Sequence, residues 1–127
     1  MWHDYDYAFL RLVPDVTGEA FANVGLVLHS RTARFLDLRV CFDTTLHLRT
    51  GLDAALVARY LHGLKRVAAG GPEAAPIGLL TPSERFHWLT AVRSTVLQPG
   101  PVRGGRTQDV AATFAAMCRG YGLTGSP

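Results

Sequence analysis

The densest chemistry in the chain lies in Glu84-Arg-Phe-His-Trp-Leu-Thr-Ala-Val-Arg-Ser-Thr95. Helical spacing puts Arg85 in line with Trp88 and sets Glu84 beside His87 and Trp88. Arg93, Ser94 and Thr95 fall where that helix gives way to an extended segment ending at Gln98. A guanidinium fork, two hydroxyls and free backbone donors can converge there on one phosphate or carboxylate. The same residues also serve as a plain helix end, with Arg93 bonding the last carbonyls and the hydroxyls making the turn. Asn23-Val-Gly25 is the second feature, since Asn and Gly are poor strand residues and stand two apart in an apolar strand. Either Asn23 presents its amide to a ligand over a floor opened by Gly25, or Gly25 marks a bulge or a close approach and Asn23 satisfies a loop. A pocket built from both features holds Asn23, Arg85, His87, Arg93, Ser94, Thr95 and Gln98.

Other groupings are thinner. His3, Asp4 and Asp6 are chelating types at a solvated terminus with no further His or Cys at metal-like spacing, so no metal and no cofactor is expected. Cys41 and Cys118 sit in apolar patterns without a CxxC and are expected as buried free thiols, although Cys41 paired with His47 or His87 would make a nucleophilic dyad. Gly104-Gly105 between Arg103 and Arg106 suits phosphate contact or a solvated loop. GxSxG, HExxH, P-loop and GxGxxG motifs are missing, which removes the common signals of hydrolytic, metalloproteolytic, nucleotide-hydrolysing and dinucleotide-binding chains.

These residues need a scaffold, and 127 residues with 48% hydrophobic and 18% charged content suit one domain over 1–127. No apolar run approaches the ~20 residues that cross a bilayer, and the first residues lack a leader's basic and apolar regions, so a cytoplasmic protein without membrane association is expected. Twelve of the thirteen basic side chains are arginine and they are scattered, so the net charge of +3 is a weak argument for nucleic acid. Strand patterns occupy 5–13, 22–29 and 35–40. The first is apolar on both faces, Tyr5, Tyr7 and Phe9 against Ala8, Leu10 and Leu12, and so should be central. The second is read with Val24, Leu26 and Leu28 on one face and Asn23, Gly25, Val27 and His29 on the other.

A capping box at Thr50-Gly-Leu-Asp53 opens a helix that ends at Gly70-Gly71-Pro72, with Leu56, Tyr60, Leu61 and Leu64 expected on the sheet. Thr81-Pro-Ser-Glu84 is the strongest helix start, followed by a helix from Ser83 to about Val92, a short strand near 95–98, a loop from Gln98, and a last helix from Thr107. The strand-rich part is thus 4–41 and the helical part 50–122. The order implies an α+β fold, an antiparallel sheet of three to four strands with about three helices over one face.

Three blocks, Tyr5–Pro14, Glu19–Leu28 and above all Glu84–Val102, resemble the bacterial domain-of-unknown-function family 3037, in its actinobacterial branch, over nearly the whole chain. Relatives carry an acidic residue and a Phe before the Asn-Val-Gly triplet, matched loosely by Glu19 and Phe21, with Ala20 and Ala22 as departures. They often carry His where Arg103 stands, which weakens any metal or base there. The family has no settled activity. The resemblance implies a small cytoplasmic protein often encoded beside a HipA-like kinase, hence an accessory or regulatory module that binds a protein partner and an anionic group, with homodimerisation an option. The alternatives are an enzyme or enzyme subunit acting on a phosphorylated or carboxylated small molecule and, more weakly, a nucleic-acid-binding domain.

Overall fold

The computed structural model describes residues 1–12, 22–41, 53–91 and 97–123. Three long strands come first: β1 (His3–Leu12), β2 (Ala22–Ser30) and β3 (Phe35–Val40). They are followed by α1 (Ala54–Ala69), two short 3-10 turns, α2 (Pro82–Leu89), β4 (Leu97–Pro99), β5 (Arg103–Thr107) and α3 (Val110–Gly120). All strand pairs are antiparallel, in the order β3-β2-β1-β4, with β5 also on β1. The chain is therefore α+β, with five strands in place of three or four.

The additional strand is half of an interrupted one. β4 pairs with Leu10–Leu12 and β5 with His3–Tyr7, along the same side of β1. Between them lie Gly100, whose N–H donates to the Phe9 carbonyl at 2.7 Å, and Pro101, which has no N–H to offer a ladder. The residues Arg-Gly-Gly-Arg read as a loop because their strand propensity is low. Pairing overrides that propensity: Tyr5 lies across Gly105 and fills the space a side chain there would take.

β1 is apolar on both faces because both are covered. Ala8, Leu10 and Leu12 form one core with Leu61, Leu64 and Val67 of α1 and with Phe86 and Leu89 of α2. Tyr5, Tyr7 and Phe9 pack in a second core with Leu26, Leu28 and with Val110, Phe114 and Cys118 of α3. The helices are thus divided, two on one face and one on the other, instead of gathered over one. The last helix had to cross over because Phe9, Leu26 and Leu28 would otherwise stay in water, and a buried side chain of that kind is worth about 1.5–3 kcal/mol.

Two further expectations change. Leu10 pairs with Gly25 while Arg11 pairs with Asn23, so Val24 is the extra residue of a β-bulge. Val24 thereby joins the α1–α2 core, away from Leu26, and Asn23 is on the face opposite Gly25. On α1, Leu56 and Tyr60 are 57% and 41% exposed, because the inward stripe runs Val57, Leu61, Leu64, Ala68. Asp53 itself caps this helix, accepting from the Ala55 N–H at 2.9 Å. Thr50 lies outside the described residues. Truncating Leu61, 1% exposed, to Ala should lower the unfolding free energy in urea by about 2–5 kcal/mol, whereas Leu56→Ala should stay within about 0.5 kcal/mol.

Candidate functional site

α2 is placed by its start. The Thr81 hydroxyl accepts the Glu84 N–H at 3.2 Å, the Glu84 carboxylate accepts the Thr81 N–H at 3.3 Å, and Pro82 occupies the first turn. With that phase set, Ser83, Phe86, His87 and Thr90 recur at i, i+3, i+4 and i+7 and face the β1–β2 hairpin. The Ser30 hydroxyl, 1% exposed, donates to the Asp4 carbonyl at 2.9 Å and accepts the Ala33 N–H at 3.4 Å, which holds the β2–β3 turn against the start of β1.

Between these elements lies a partly enclosed cleft of ≈ 400 Å³, walled by His29 and Asp6 from the sheet, by Phe86 and His87 from α2, and with Arg31 at its rim. His29 and Asp6 are direct cross-strand partners on β2 and β1. The His29 ring stacks on Phe86, centroids 5.5 Å apart and planes 29° from parallel. Burial holds the His29 imidazole below its ordinary value, opposed by the Asp6 carboxylate and reinforced by His87 and Arg85. The cleft therefore combines a neutral buried imidazole, a second exposed imidazole, a guanidinium and a carboxylate, a set able to bind an anion or to move a proton. The Thr90 hydroxyl is engaged elsewhere, donating to the Phe86 carbonyl at 2.9 Å.

Of the seven residues of the expected pocket, His87 is the only described one that lines this cleft. Arg85 turns to the end of α1: Nη1 donates to the Val67 and Ala68 carbonyls at 3.0 and 2.7 Å, and Nε donates to the Leu80 carbonyl at 3.1 Å. It is the cation at a helix C-terminus, close against Gly70, whose φ of 78° closes the helix. Asn23 and Gln98 flank Arg11 from opposite sides, on the α3 face at the far end of β1, with that strand between them. Arg93, Ser94 and Thr95 lie outside the described residues, as does His47. Cys41 belongs to the α3 side and so stands across the sheet from His87. Cys118 is buried there, and burial pushes its thiol up. Asp4 is paired with Arg106 at 3.5 Å, both well exposed, and among the described residues no three His, Cys, Asp or Glu gather as a metal site would require.

His29 and Arg31 are cleft residues that the motifs did not mark, and Asp6 was marked only as a chelating type beside His3 and Asp4. The signal was present, a histidine in an apolar strand, yet its significance depends on register, which alone sets Asp6 opposite it.

The fold and cleft define an α+β domain whose antiparallel sheet is enclosed between a helix pair and a single helix. A family model described as protein of unknown function (DUF3037) matches residues 7–121, and the chain belongs to that family. No curated protein and no solved structure matches it.

Because the folded state holds His29 below the 6.5 of a free imidazole, the unfolded chain binds more protons just below that pH. Stability should accordingly fall as pH drops from 6.5 through the folded value, and urea titrations of His29→Gln should show a shallower loss; equal slopes would exclude this role. Arg85→Ala should cost about 1–2 kcal/mol, with Arg85→Lys recovering only part, because an ammonium cannot reach three carbonyls as the fork does.

Proposed function

We propose that the chain is a small non-catalytic accessory domain of the bacterial cytoplasm, which binds a protein partner by seating an anionic group of that partner in the His29–His87 cleft. The supporting observation is the meeting of two imidazoles and Arg31 around a cavity of ≈ 400 Å³, with Asp6 as the single carboxylate among the described residues of its wall. That volume lies at the small end of the range for ligand clefts and leaves ample room for one side chain or one phosphoryl group. An anion arriving there opposes the effect of burial on the His29 imidazole and favours its protonation, so the site gains charge as it is filled. The partner to test first is the kinase that the family resemblance implies.

Sulfate stays dianionic through the imidazole range and so isolates the protein's own titration. Followed by the His29 and His87 ring signals in NMR, sulfate should bind in the millimolar range and several-fold more tightly at about pH 5.5 than at about pH 7.5. His87→Ala and Arg31→Ala should each weaken it about fivefold or more. Unmoved histidine signals at every concentration would remove the proposal.

The second reading, an enzyme acting on a phosphorylated or carboxylated small molecule, draws on a different observation. His29 is held neutral beside Asp6, the state from which an imidazole accepts a proton. Turnover of a phosphate ester that vanishes in His29→Gln while His87→Ala only raises KM would favour it.

A further inference from the structure

We infer that a second copy of this chain adds to β5 as an antiparallel strand, across a two-fold axis beside Gly105. β5 pairs with β1 along one side, and among the described residues no strand occupies its other side. Alternate N–H and C=O groups of Arg103–Thr107 therefore point outward. A sheet edge of this kind pairs with whatever strand matches its side chains, and the residues of β5 match themselves.

Centring the pairing on Gly105 sets Gly105 opposite the same residue of the second copy, Gly104 opposite Arg106, and Arg103 opposite Thr107. Like charges are not directly opposed. Residues directly opposed share a face, and in the present register Gly104 is beside Asp6 and Arg106 beside Asp4. The row across the new interface then reads Asp6, Gly104, Arg106 of the second copy, Asp4 of the second copy, and the two-fold repeats it in reverse.

Gly104 is what makes this row work. A Cβ there would stand 3.4 Å from the Asp6 Oδ1, so the carboxylate already leans over the glycine toward the edge. Cross-strand Cβ positions lie about 5 Å apart, which brings the opposing guanidinium across Gly104 to that carboxylate. Within one chain, among the described residues, Arg106 is ion-paired with Asp4 alone, at 3.5 Å with both groups well exposed, a weak pair. In the dimer each Arg106 sits between its own Asp4 and the other copy's Asp6.

The same row argues against an acidic peptide as the occupant, since a carboxylate opposite Gly104 would face Asp6.

Sedimentation equilibrium on the full chain at low salt, over the micromolar range, tests this pairing. The protein should dimerise, and Arg106→Asp or Asp6→Arg should each raise the dimer dissociation constant about tenfold or more, while the double variant recovers dimerisation. Hydrogen exchange on the unaltered protein provides an independent measure: amides of Arg103–Thr107 should exchange more slowly as concentration rises. A chain that stays monomeric throughout, or a dimer indifferent to both single substitutions, overturns the inference.

Discussion

β1 carries apolar side chains on both faces, and a strand of that kind is stable only if nothing about it is left to water. Ala8, Leu10 and Leu12 are at most 2% exposed on one side, while Tyr7 and Phe9 pack under α3 on the other. Its backbone groups are consumed by β2 along one side and by β4 and β5 along the other. The demand for two neighbours explains why a stretch as poor in strand formers as Arg103–Thr107 is extended. The demand for two covers explains why α3 is separated from α1 and α2. A one-residue slip would exchange Phe9 with Leu10 and place each against the wrong helix layer, so the register is strongly held.

That register also distributes the chemistry. With β1 locked, Asp6 must face His29 on the side of α2, and Arg11 must stand between Asn23 and Gln98 on the side of α3. The bulge at Val24 separates the two ends of β2: residues from Gly25 onward alternate as an unbroken strand would, and Asn23 is switched to the other face. Asn23 and His87 therefore reach different surfaces of the molecule.

Much of the architecture was legible because it depends on local chemistry. The Thr81–Glu84 capping box, the Pro82 start and the Gly70 stop are backbone devices confined to a few residues, and they appear where their residue types predict. The double-sided pattern of β1 identified a central strand without reference to any partner. The features that escaped are nonlocal. Nothing near Arg103-Gly-Gly-Arg announces that Tyr5, a hundred residues earlier in the fold's construction, will cover Gly105, and nothing around Arg85 shows that carbonyls of the preceding helix will occupy its donors. The candidate site was legible in one residue, His87. The others entered through pairing, which residue types do not encode one at a time.

Arg85 joins more than two charges and a helix end. By holding the Val67, Ala68 and Leu80 carbonyls together, its guanidinium ties the last turn of α1, the linker and the first half of α2 into one mechanical unit. Phe86, the next residue, is both a core side chain and the stacking partner of His29. α2 thus has little freedom to tilt by itself, and the cleft cannot gape without dragging α1 across the core. A ligand of the proposed site would accordingly have to match a wall already braced against α1.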